Sequence, residues 1–285
     1  MEAPILVIGA MGNVGTEVVK SLLGKGKVVR AADTNENRTR ERFGEAVEPV
    51  RFDFTNPETY EKTFAGVEQM FLMRPPHLSN IKRDMVPAMN AAKRAGIRHV
   101  VFLSVIGVEN MKFIPHSKVE SHLTQQGIQV TFLRCSFFMQ NLSTTHRQEI
   151  KERNEIFVPV GKARTSFIDV RDIGAVAAQI LTESSQAGKK YDLTGAETLD
   201  YWQIAQILSE TLGRKIQYSN PNAVKFFIET VRRGAPLSYA LVVMGLYTTT
   251  RYGMADVVTN HVERLLGRKP IAFRQFTEDY KDAWL

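Results

Sequence analysis

Three glycines recur at three-residue intervals between an apolar run ending at Ile8 and an amphipathic stretch opening at Val14, in the order Gly9-Ala10-Met11-Gly12-Asn13-Val14-Gly15. In a strand-to-helix turn this spacing suits a phosphate. Gly9 permits the tight turn, Gly12 lets backbone N–H groups approach a pyrophosphate, and Gly15 lets helix and strand pack closely. The helix N-terminus adds partial positive charge and free N–H donors. Met11, Asn13 and Val14 supply backbone between the glycines and join them as cofactor-binding candidates.

Asp33 stands 18 residues beyond Gly15, at the end of the next β-branched run. There a carboxylate accepts from an adenosine ribose and repels a 2′-phosphate. A solvated turn residue in Ala32-Asp33-Thr34-Asn35 is the other reading, and Arg30, Arg38 and Arg40 lie near enough in sequence to attract a phosphate instead. NAD(H) is the expected cofactor, with NADP(H) possible. Asp53-Phe54, after the third run, suits a base or equally a strand cap and a core ring.

For the reacting end, ligands in doubly wound sheets sit beyond the carboxyl ends of the strands. That singles out Ser104, Lys118 and the stretch from Arg134 to Asn141. A Tyr-x-x-x-Lys pair would let the cation lower a phenol's pKa. None of the eight tyrosines has Lys four residues on, and Ile114 stands four before Lys118. Lys118 remains as the catalytic candidate, binding a nicotinamide ribose or donating a proton. His122, one turn later, would lower its pKa if charged, and His116 is another donor; for both, an ordinary polar stripe competes. Phe137, Phe138 and Asn141, with Phe113, offer surface for a flat acceptor, or simply core.

These residues need a scaffold of parallel βαβ units. Strands are expected over 5–8, 28–32, 50–52, 69–72, 99–103 and 129–133, with helices over 14–23, 81–95 and from Pro115 to Gly127. Beyond 136 the pattern brings a strand end feeding a helix over 173–181, a strand over 191–194, then helices over 201–212, 223–232, 237–247, 257–266 and 277–284. The fold class is α/β, a Rossmann-type doubly wound parallel sheet with a smaller, mainly helical C-terminal substrate domain. Residues 1–195 are assigned to the first, with strands after 136 partly shared, and 196–285 to the second.

Composition excludes several alternatives. With 285 residues, 44% hydrophobic and 24% charged, the chain is an ordinary globular protein. The net charge of +7 is scattered over short pairs, without a basic stripe carrying aromatics, so direct nucleic-acid binding is not expected. Cys135 is the single cysteine, read as an inert packing residue in a reducing compartment. No signal peptide is visible, and the uncharged run 234–250, interrupted by Pro236, reads as a buried helix rather than a membrane span. The expectation is a cytoplasmic monomer or homodimer. The six histidines lack metal-ligand spacing, and neither G-x-S-x-G nor a P-loop occurs.

The chain resembles the NmrA-like group of atypical short-chain dehydrogenases. The resemblance spans nearly the whole chain and rests on Gly9-x-x-Gly12-x-x-Gly15, Asp53-Phe54, Pro115-His116-Ser117-Lys118-Val119-Glu120, 133–141, 167–173, 191–195 and 259–276. It implies bound NAD(P)(H) and hydride transfer to quinones or dyes without a tyrosine acid. Lys118 is similar to the lysine of isoflavone-reductase relatives. Asp33 departs from the arginine that reductase members commonly carry, and with it from their NADPH preference. Two functions follow: an NAD(P)H-dependent oxidoreductase acting on a small quinone-like or conjugated acceptor, or a non-enzymatic redox sensor. Nucleotide-sugar epimerisation needs the missing tyrosine.

Overall fold

The computed structural model describes residues 2–285. They form two compact units interleaved along the chain. Residues 2–135, Val170–Leu193 and Arg264–Gly267 make the first; Ser136–Asp169, Thr194–Glu263 and Arg268–Leu285 make the second. Segment 136–169, which the sequence reading left with residues 1–195, therefore groups with the second unit.

The first unit holds a seven-stranded sheet of β1 (Ile5–Ile8), β2 (Val29–Asp33), β3 (Glu48–Arg51), β4 (Gln69–Leu72), β5 (His99–Val105), β6 (Gln129–Cys135) and, after β7 (Glu155–Ile156) of the second unit, β8 (Lys190–Leu193). The order is β3-β2-β1-β4-β5-β6-β8, every pair parallel. Parallel strands covered on both faces read as unbroken apolar runs, and β1 is buried at all four positions. One face packs Leu6, Met70, Val100 and Phe102 against Met89, Val119 and Leu123 from helices. On the other, helices Asn13–Gly24 and Val170–Thr182 meet at backbone distance, since a Cβ on Gly174 would lie 2.6 Å from the Glu17 carbonyl carbon.

The helix expected over 81–95 is two, Ile81–Asp84 and Val86–Arg94. Pro87 has no N–H to give the Arg83 carbonyl four residues back, and the run breaks between the two, at Met85.

The second unit is mainly helical. Helices Tyr201–Leu212, Ala223–Arg232, Leu237–Arg251 and Phe273–Asp279 accompany the short parallel pair of β7 with β9 (Gln217–Tyr218). Its core holds Ile150, Phe167, Tyr201, Leu208, Phe276 and Trp284. Asp200 and Gln203 form a capping box that starts the first of these helices. The run expected to be a buried helix proves largely exposed: Leu237, Leu241, Val242 and Leu246 face outward, while Ala240, Tyr247 and Thr250 are buried. The last helix begins at Phe273 rather than 277. Among the described residues no helix is long and apolar enough to cross a membrane.

Candidate active site

The glycine loop hangs from β2. The N–H groups of Gly9 and Ala10 both donate to the Ala32 carbonyl, at 3.0 and 3.1 Å. Gly9 has φ +74°, a left-handed conformation that favours glycine. A Cβ on Gly15 would lie 2.1 Å from the Gly9 carbonyl oxygen, so helix and turn touch backbone to backbone. Helix Asn13–Gly24 begins at Gly12 with no side-chain cap and no acidic residue in its first turn. Its orphan donors keep their partial positive charge, which is what a diphosphate requires. The loop residues 9–15 thus fit a dinucleotide.

Asp33 closes β2, partly exposed, and its Oδ1 accepts the Asn35 N–H at 3.2 Å. Asn35 caps helix Glu36–Phe43. Of the three arginines weighed as phosphate ligands, two are committed elsewhere. Arg30 pairs with Glu48 at 3.0 Å and donates to Thr63 and Ala65 carbonyls. Arg40 pairs with Glu36 at 2.9 Å. Arg38 has no ion pair among the described residues.

Asp53 and Phe54 both have partners within the protein. Asp53 Oδ1 accepts from the Thr55 N–H and hydroxyl, both at 2.8 Å. The Phe54 ring is buried edge-on against Phe52 with centroids 4.8 Å apart.

Ser104 also has a partner within the protein. It is buried on β5, and its hydroxyl donates to Glu120 Oε1 at 2.6 Å. Glu120, buried on helix Pro115–Gln125, also receives Arg134 Nε at 3.1 Å and Nη2 at 2.8 Å, and Arg134 Nη1 reaches Glu109 at 2.9 Å. This network binds the ends of β5 and β6 to the helix that carries Lys118. The sequence reading missed it, although Arg134 inside an apolar strand was a signal, since a charge there must be paired.

Lys118 is exposed, without an ion pair among the described residues. His122 does not act on it: its Nε2 lies 3.1 Å from Asn90 Oδ1 and 2.9 Å from Gln126 Nε2, and burial lowers its pKa. His116 is half-buried, and burial, aided by the Arg74 charge, pushes its pKa down to about 3, so it is neutral near pH 7. Cys135 is buried with its thiol pKa raised, chiefly by that burial, and plays the packing part expected of it.

In the second unit Phe137 stacks on Tyr247, centroids 6.2 Å apart and planes 15° apart, and meets Phe167 edge-on. Phe138 bridges Ile168 through its backbone. Asn141 is half-buried, and its side-chain amide has no partner among the described residues. Phe113 belongs to the first unit and is 76% exposed. Among the described residues no three His, Cys, Asp or Glu side chains are grouped to hold a metal ion.

A parallel sheet with this strand order and an uncapped glycine turn defines a Rossmann-type protein. The pattern of the NmrA-like family matches residues 1–265, and the chain belongs to that family. It is 29% identical to an NAD(P)H azoreductase of Xenophilus azovorans, with 98% of this chain and 99% of that one covered. Two solved structures share the fold. One is the NADPH-dependent quinone oxidoreductase QOR2 of Escherichia coli complexed with NADPH (TM-score 0.86, 20% identity, 99% and 100% of the two chains). The other is NmrA, a negative transcriptional regulator, in complex with NADP (TM-score 0.77, 18% identity, 98% and 95%).

Proposed function

We propose that the protein is an NAD(P)H-dependent oxidoreductase that passes a hydride to a quinone-like or other conjugated small acceptor. The observation that carries this reading is the uncapped, acid-free helix start over the glycine turn. The azoreductase and the quinone oxidoreductase among its relatives support it. The nicotinamide, when bound, supplies the hydride. The 9–15 loop binds the diphosphate, Asp33 the adenosine ribose, and Lys118 orients the nicotinamide ribose or protonates an acceptor oxygen. In the second unit Phe137, Phe138 and Asn141 bind the acceptor, two by ring contact and one by its amide. Positioning supplies much of the rate in such a site. The lone buried thiol suits a reducing, cytoplasmic setting.

The test is absorbance of NADH, and separately NADPH, with a panel of quinones and azo dyes. Acceptor-dependent loss of the reduced-nicotinamide signal is expected. Binding without turnover would favour a redox sensor, a reading supported by the neutral state of His116 and by the NADP-binding regulator among the neighbours.

NADH is the proposed preference, because Asp33 ends β2 where a 2′-phosphate would meet its carboxylate. Asp33→Ala is expected to narrow the NADH-to-NADPH affinity ratio about tenfold, ~1.4 kcal/mol. An unchanged ratio would remove Asp33 from cofactor selection.

A further inference from the structure

Arg74 follows β4 by two residues, at the point where the strand order reverses between β1 and β4. Doubly wound sheets bind their ligands in the crevice at such a reversal. The residue before it, Met73, lies against the glycine turn: its Sδ is 2.3 Å from where a Gly9 Cβ would stand. Arg74 is therefore beside the phosphate loop in the folded chain, although 65 residues separate it from Gly9.

The guanidinium is half-buried and has no counter-ion among the described residues. Its Nη1 donates to three carbonyls of its own loop, Pro75 at 2.8 Å, Pro76 at 3.0 Å and Leu78 at 2.9 Å. Its Nε is buried without a partner. Nη2 has no partner among the described residues and is not enclosed. No carboxylate lies within ion-pair distance of it among those residues, whereas the buried Arg134 is met by both Glu120 and Glu109. Removing a charge from water without a partner is costly, so chains normally pair such groups. The nearby His116 is held neutral and adds no second cation. Three carbonyls orient the group and leave Nη2 open, an arrangement suited to one oxygen of an oxyanion.

Resting on the functional reading above, we propose that Arg74 is a ligand-binding residue that holds an oxyanion in the β1/β4 crevice. The oxyanion is either the diphosphate of the dinucleotide or the acid group of an acceptor. Charge pairing in a partly desolvated crevice is the shared chemistry.

Calorimetric titration of the whole protein with two kinds of probe separates the sources. ADP-ribose carries the diphosphate without the nicotinamide; an azo dye bearing a carboxylate, compared with its methyl ester, tests the acceptor. Arg74→Gln is expected to weaken one of them tenfold or more, and Arg74→Lys to restore part of the loss. Weaker ADP-ribose binding assigns the diphosphate. Unchanged ADP-ribose binding with loss of the acid-over-ester preference assigns the acceptor. If Arg74→Gln alters neither, or lowers only the thermal midpoint, Arg74 is a loop clamp and the assignment fails while the functional reading stands. Wild-type protein that binds neither probe overturns both.

Discussion

Replacing Gly15 with valine is expected to abolish dinucleotide binding, raising Kd about a hundredfold or more, ~2.8 kcal/mol. The cause is a contact, not flexibility. The first side-chain carbon would sit 2.1 Å from the Gly9 carbonyl oxygen, well inside van der Waals contact, so the turn must be pushed off the helix. The N–H groups that face a diphosphate then lose their common aim. Gly24, at the far end of the same helix, has nothing within 4 Å of its Cβ position, so Gly24→Ala is the matched control and should bind normally. Nicotinamide fluorescence titration reads both. Wild-type affinity in Gly15→Val would exclude the turn as the cofactor site.

The second large effect concerns stability. Glu120→Ala leaves the Arg134 guanidinium and the Ser104 hydroxyl without their buried acceptor. Breaking a buried pair by removing one partner costs about 3–5 kcal/mol. Glu109 still reaches Arg134 at 2.9 Å but is half-exposed, so it compensates only in part, and the lower end of that range is expected. Glu120→Gln should cost less, because its amide oxygen still accepts from Ser104. Urea unfolding at pH 7 measures both. A loss below about 1 kcal/mol, the worth of an exposed pair, would show that Arg134 re-pairs with Glu109 and water.

The glycine turn was legible because its physics is local: spacing, the run before it and the stretch after it lie within about one βα unit. The central strands β1, β4 and β5 were legible for a related reason, since burial on both faces leaves them mostly apolar. What escaped the reading is decided by partners far along the chain. Ser104 looked available at a strand end, yet its hydroxyl is taken by a carboxylate 16 residues away. His122 shares a helix with Lys118, but its ring is held by Asn90. Asp53 and Phe54 suit two uses in the sequence, and the packing of Phe54 on Phe52 shows itself only in the fold. Arg74 drew no notice, because a lone arginine before two prolines is silent until the fold brings Met73 onto Gly9. The composition of helix Leu237–Arg251 suggests interior, but composition does not tell which way a helix faces.

The discontinuity of the first unit bears on how the protein is made at the ribosome. Helix Val170–Thr182 and β8 complete the sheet only after Ser136–Asp169 has emerged. Until then β6 presents an unpaired edge, and the helix that starts at the glycine turn lacks the neighbour that meets it at Gly174. A nascent chain stopped at residue 135 would carry the whole phosphate-binding turn on an unfinished sheet. The capacity to hold a nucleotide should therefore appear late in synthesis, and the unpaired edge of β6 is open to other strands in the interval before it.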